Sequence, residues 1–287
     1  IRFTDFPPTE GEENLKSNQA LVTQMREVDA ITLVVRLFDS APNPLRELTD
    51  LLTEMILADL TVVENRRSRL KKEKARPQEE ALLERCAQAL ESEQSLRTLQ
   101  FTADEENLAS GFGFLSRKPL LVIFNQAEEQ AGRPLAEDYQ AELDRRGLQG
   151  LALAGKVEME IAQLDEKDRA AFLKEIGIEE PARDRFIRAA YALMDLLSFF
   201  TTGEDEVRAW TITKGTVAKK AAGKIHSDIE RGFIRAEVVT YDEFIVYGSE
   251  AKCREAGKLR LEGKDYPGRT ATLSTFVLRF ERPGALI

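Results

Sequence analysis

Five consecutive apolar residues, Leu120-Leu121-Val122-Ile123-Phe124, preceded by Lys118-Pro119, constrain this chain more than any other stretch. A run without polar alternation fits a strand covered on both faces, as in parallel sheets flanked by helices. Ala30-Ile31-Thr32-Leu33-Val34-Val35-Arg36 has the same character and follows Leu21, Val22, Met25 and Val28 at helical spacing. Gly150-Leu151-Ala152-Leu153-Ala154 is a third candidate. Strands separated by helices predict a mainly parallel α/β sheet. The opening residues 1–6 alternate like a short strand that Pro7-Pro8 stops.

Between about Asp50 and Arg117 the composition shifts to Leu, Glu, Lys, Arg and Ala. Leu51, Met55, Ala58, Val62, Asn65 and Arg69 share one helical face, and Pro77 is placed to begin a second helix over about 79–90. This predicts a helical hairpin projecting from the sheet. Its expected tip, Asn65 to Arg76, is strongly basic and includes Arg66, Arg67, Arg69, Lys71 and Lys72. Such a run reads either as a solvated helix face or as a phosphate-binding surface.

Beyond Leu164-Asp165-Glu166 the spacing predicts helices over 168–175 and 182–197, then strands at 206–212, 234–239 and 275–280, with a helix over 221–231. Strands and one helix within some 85 residues suggest a small α+β domain of β-grasp type.

The chain has 287 residues, enough for two domains. No apolar run approaches the roughly 20 residues that span a bilayer, so no membrane association is expected. Cys86 and Cys253 lack metal or redox spacing and fit a reducing cytoplasm without a disulfide-linked partner. His226, the one histidine, leaves multi-histidine metal sites and most Ser-His or Cys-His hydrolytic chemistry unsupplied. The net charge of −9 argues against wholesale nucleic-acid coating, though a local basic stripe still binds phosphates.

The segments Val207–Ile212, Ala221–Glu237 and Ala256–Tyr266 closely resemble the TGS domain of the YchF/Obg-like ATPase family. Arg26–Ile31 with Val34-Val35-Arg36, Ile56–Leu60 and Ile187–Tyr191 extend the resemblance over nearly the whole chain. It implies a P-loop NTPase-like core (1–49 and 118–200), a helical coiled-coil insertion (50–117), a TGS-like β-grasp domain (203–287), ATP with Mg²⁺ as cofactors, and a ribosome or structured RNA as partner. The family reads its base with NxxE, and Asn125-Gln126-Ala127-Glu128 stands at a strand end where that motif belongs. Adenine offers an N6–H₂ donor and an N7 acceptor, which an Asn amide matches. Asn125 also reads as a cap on the helix that follows. Ala154-Gly155-Lys156 resembles the loop that lies over the base.

The chain departs from the family in its catalytic half. No GxxxxGK[ST] is present: Gly150 to Val157 keeps the Gly and Lys spacing, but Val157 replaces the metal-binding hydroxyl and the filling is strand-like. The first residue, Ile1, is not Met, so upstream sequence carrying the P-loop is expected. The family's DxxG aligns with Asp5-Phe6-Pro7-Pro8, making Asp5 the Mg²⁺ ligand while proline has no N–H for a γ-phosphate. The glycine-rich switch is reduced to Pro8–Glu13, and the loop Asp39–Leu45 has no histidine. His226 is expected in a local hydrogen-bonding or surface role, and Trp210 in the core. Lys214, Lys219, Lys220, Lys224, Arg231 and Arg235 collect on the TGS-like segment as a candidate RNA or ribosome surface. The sequence therefore favours an ATP-binding, ribosome- or RNA-associated protein with impaired hydrolysis. An active ATPase with an upstream P-loop and a protein-binding adaptor are the alternatives.

Overall fold

The computed structural model describes residues 2–6, 19–38, 43–73, 76–202, 207–267 and 276–280. The expectations resting on Ile1, Pro7-Pro8, 8–13, 39–42, Lys74-Ala75, Gly203, Glu206 and Thr275 lie outside the described residues. The chain divides into two compact units, Ile1–Ala189 and Ala190–Ile287.

In the first unit α1 (Gln19–Glu27) leads into β1 (Ile31–Leu37). Helices α2 (Pro44–Leu70), α3 (Pro77–Glu91) and α4 (Ala103–Ser110) follow. Strand β2 (Leu120–Gln126), α5 (Glu137–Arg146), β3 (Gln149–Leu153), α6 (Gly155–Gln163) and α7 (Glu166–Glu175) complete it, with the start of α8 (Ala182–Leu193). The three strands form a parallel sheet in the order β1-β2-β3. Val122 and Phe124 are fully buried, as the all-apolar run of β2 requires, and pack with Leu21, Met25, Val35 and Leu143. Each such side chain contributes about 1.5–3 kcal/mol by leaving water. Residues Arg2 to Phe6 carry no strand, a correction to their alternating pattern, which is too short to hold an extended pairing by itself.

The hairpin forms as its capping residues dictate. Pro44 and Pro77 each occupy a first-turn position where a missing N–H costs nothing, and Asn43 accepts the Leu45 N–H at 3.1 Å. Leu82, Leu83, Cys86 and Leu90 of α3 pack against Ile56 and Val63 of α2, and burial pushes the Cys86 thiol up to about 11. The base of the hairpin is held by Asp59, whose carboxylate is wholly buried. It accepts the backbone N–H groups of Leu115 (2.9 Å) and Ser116 (2.7 Å) and faces the Arg26 guanidinium at 3.2 Å. Arg26 also donates to the carbonyls of Gly113 and Ala58. Burial pushes the Asp59 carboxyl up, while these donors act in the opposite direction.

The second unit holds β4 (Leu196–Thr202), β5 (Val207–Thr213), α9 (Ala218–Ile225), α10 (Ser227–Arg231) and β6 (Ala236–Thr240), then α11 (Tyr241–Tyr247), α12 (Glu250–Glu255), β7 (Arg260–Glu262) and β8 (Phe276–Phe280). The strand order is β5-β4-β8-β6-β7, with β4 and β8 parallel and the other pairs antiparallel. Leu197, Phe199, Ile212, Ala221 and Val238 form its core.

Three expectations change here. The helix predicted over 182–197 stops at Leu193, because Asp195 takes a left-handed φ of 53° and the next seven residues pair with β5. Residues 196–200, expected in the nucleotide-binding core, thus lie in the sheet of the second unit. The helix predicted over 221–231 is two helices split at His226, whose extended backbone (φ −162°) ends α9 while its Nδ1 accepts the Asp228 N–H at 3.2 Å and caps α10. Trp210 is half-buried at the edge of the core, its Nε1–H donating to Thr201 Oγ1 at 3.0 Å.

Candidate nucleotide-binding site

In open parallel α/β sheets, ligands bind outside the carboxyl ends of the strands. The register places Asn125, near that end of β2, beside Leu153 at the end of β3. Asn125 Oδ1 accepts the backbone N–H of Gly155, thirty residues later, at 2.8 Å. Gly155 is the first residue of α6, whose N-cap Ala154 has no capping side chain. Asn125 therefore caps α6 across the sheet rather than the segment that follows it, correcting the local-cap alternative. A Cβ on Gly155 would stand 3.1 Å from Asn125 Oδ1, so glycine permits the close approach. With one lone pair of Oδ1 taken by Gly155, the second lone pair and the two Nδ2–H donors remain, the pairing that an N6–H₂ donor beside an N7 acceptor would meet.

Glu128, the last residue of the NxxE pattern, is ion-paired with Lys156, the residue after Gly155. The carboxylate makes Lys156 hold its proton more tightly than usual. Ala154, Gly155 and Lys156 thus meet Asn125 and Glu128 around one strand end. The sequence did not show that Lys156 and Glu128 pair; the equal advance of parallel neighbours at strand ends is the signal that finds it.

The same geometry decides the P-loop look-alike. Gly150 to Leu153 lie in β3, with Gly150 opposite Val122, so this stretch is strand and not a loop wrapped around phosphates. A Cβ at Gly150 would fall 2.3 Å from Leu143 Cδ1, which accounts for that glycine by packing. Asp5 is exposed, and among the described residues no group of three or more His, Cys, Asp or Glu side chains is placed to hold a metal ion. Among the described residues, the strand end offers a fixed carboxamide that can pair with a base edge and no cluster of ligands for Mg²⁺.

The basic residues of the two units divide into engaged and open sets. Arg66 grips Glu79 with Nε–Oε1 at 2.6 Å and Nη2–Oε2 at 3.2 Å, and also Glu73; Arg67 pairs with Glu84. These two hold α2 to α3 instead of facing outward as the basic-tip reading expected. Arg69, Lys71 and Lys72 remain exposed, without ion pairs among the described residues. In the second unit Lys220 pairs with Glu230 at 2.7 Å and Arg231 with Asp228, while Lys214, Lys219 and Lys224 are exposed without ion pairs among the described residues. Arg208 lies over the Trp210 ring at 4.4 Å.

A parallel sheet with a helical insertion and a candidate site at its carboxyl ends, together with a mixed β-grasp-like sheet, defines an Obg-like P-loop NTPase fold with a TGS-like C-terminal domain. The family model YchF-GTPase_C, described as a protein of unknown function (DUF933), matches residues 196–276. The chain is 37% identical over 262 residues to the ribosome-binding ATPase YchF of Bacillus subtilis (strain 168), covering 85% of this chain and 72% of that protein. It is 38% identical over 274 residues to the ribosome-binding ATPase YchF of Escherichia coli O157:H7, covering 91% and 75%. The solved YchF GTPase of Schizosaccharomyces pombe superposes with a TM-score of 0.81 at 28% identity, covering 91% of this chain and 74% of that one. The chain belongs to the YchF family. Among the described residues no helix is long and apolar enough to cross a membrane.

Proposed function

We propose that this chain binds ATP by its adenine base at the ends of β2 and β3 and associates with the ribosome through exposed cations, with hydrolysis impaired. The observation that carries the base site is the 2.8 Å bond from Gly155 N–H to Asn125 Oδ1, which presents the Nδ2–H donors of a fixed carboxamide at the strand ends. The names of the relatives, ribosome-binding ATPases, support the partner and the nucleotide. Lys214, Lys219 and Lys224 on the second unit and Arg69, Lys71 and Lys72 on the hairpin are the cations open to RNA phosphates. Impaired hydrolysis rests on the prolines of Asp5-Phe6-Pro7-Pro8 and on the missing loop histidine.

The test is calorimetric titration with ATP, with GTP as control, in the presence of Mg²⁺. ATP binding without GTP binding supports the base assignment. Binding of neither nucleotide overturns it, and turnover of ATP in the same sample overturns the impaired-hydrolysis reading in favour of an active ATPase.

A further inference from the structure

The segment that carries Ala154, Gly155 and Lys156 is held at both ends by one helix. Arg185 of α8 donates from Nη1 to the carbonyl of Ala152 in β3 at 3.1 Å, two residues before Ala154. Glu158, in the first turn of α6, accepts the backbone N–H of Ala182 through Oε2 at 2.8 Å, and Ala182 is the first residue of α8. Residues 153–157 therefore run between two points tied to the first turn of α8. Both ties lie within the first compact unit.

The two side chains that make these ties face each other without closing a hydrogen bond. Arg185 Nη2 stands 3.9 Å from Glu158 Oε1. Glu158 Oε1 and Arg185 Nε are buried and have no hydrogen-bond partner among the described residues. A guanidinium beside a carboxylate ordinarily closes a two-bond fork, and a buried polar atom left unpaired is unfavourable. Here each group gives its hydrogen bond to the main chain that flanks the segment instead. Forgoing the fork in this way adds little stability by itself, but it sets where the segment between the two ties must lie.

We propose that Glu158 and Arg185 are positioning residues of the base site: through α8 they fix the end of β3 against the first turn of α6, and with it the Gly155 N–H that holds Asn125. The inference rests on the assignment of the adenine base to Asn125 and Gly155. Both residues act through Gly155 and make no contact with the nucleotide.

The proposal is tested on the full chain, labelled with ¹⁵N. Without nucleotide, Glu158→Ala and Arg185→Met are each expected to shift the Gly155 backbone amide and the Asn125 side-chain amide. Glu158→Gln keeps an acceptor for the Ala182 N–H and is expected to leave both near their parent positions. In calorimetry the first two variants are expected to weaken ATP binding about tenfold, and Glu158→Gln by less than about threefold. Arg183→Met, on the same helix but ion-paired with its neighbour Asp184, is expected to bind ATP as the parent does. Parent-like affinity in Glu158→Ala and Arg185→Met, an unmoved Gly155 amide, an equal loss in Glu158→Gln, or the same loss in Arg183→Met each overturn the proposal. Asn125→Ala separates this failure from that of the base assignment. If ATP binds the parent and not Asn125→Ala, the base assignment stands whatever the α8 variants do. If the parent binds no ATP, or Asn125→Ala binds it unchanged, the base assignment falls and the proposal falls with it.

Discussion

Gly155 donates its backbone N–H to Asn125 Oδ1 at 2.8 Å, joining the start of α6 to the end of the neighbouring strand. Gly155→Ala separates two effects of this contact. Alanine favours a helix by up to about 1 kcal/mol over glycine, yet its Cβ would press on Oδ1 from 3.1 Å. The expected outcome is an unfolding midpoint equal to or above that of the parent, with ATP affinity reduced about tenfold. Unchanged affinity in calorimetry would remove Asn125 from the base site.

Asp59 is predicted to be the most sensitive polar position of the hairpin. Asp59→Ala leaves Arg26 without its carboxylate and strands two buried N–H groups, a loss of about 3–5 kcal/mol. Urea unfolding measures it; a loss under about 1 kcal/mol would show that water replaces the carboxylate.

The Arg66–Glu79 pair predicts acid sensitivity. Arg66 holds the Glu79 carboxyl below its ordinary value of 4.5, so the folded state binds this proton less readily than the unfolded state. The resulting stability is present above the ordinary value and is lost as pH falls through the depressed one. Thermal melts followed by circular dichroism are expected to show the midpoint dropping below about pH 4.5, with part of that drop absent in Arg66→Met. An identical pH profile in the variant would assign the acid response to other carboxylates.

For the second unit, charge reversal at Lys219 and Lys224 is expected to weaken ribosome or RNA binding and to flatten its dependence on salt by about one unit of log–log slope per lost phosphate contact. Lys220→Glu is a less clean probe, because it also places two carboxylates together at Glu230. Unaltered binding in filter or sedimentation assays would move the interface elsewhere.

The parts of the fold legible in the sequence are those set by local pattern. The apolar runs of β1, β2 and β3 and the helix begun by Pro77 lie where periodicity puts them, whereas α2 starts at Pro44, ahead of the expected start near Asp50. Strand β4 was hidden because Leu196-Leu197 continues the helical spacing of α8, and only the left-handed backbone at Asp195 breaks it. The split at His226 was hidden for a related reason, since a single residue both ends one helix and caps the next. At the candidate site, Asn125 and Gly155 were nameable from the family pattern, but the bond between them depends on strand register. The division of cations into engaged and open sets follows from separations of 13 residues (Arg66 to Glu79) and 17 residues (Arg67 to Glu84) across a helical turn-around, which composition does not encode.

The anchorage at Asp59 also fixes a mechanical ratio. From Asp59 to Lys71 the helical rise amounts to about 18 Å, and beyond the anchor the hairpin is stiffened by a continuous apolar seam and by the Arg66–Glu79 clasp. A tilt of about 10° at Asp59 would carry Lys71 through about 3 Å, the reach of one hydrogen bond. Geometry alone thus makes the position of an exposed cation at the far end of the hairpin sensitive to the angle set at Asp59.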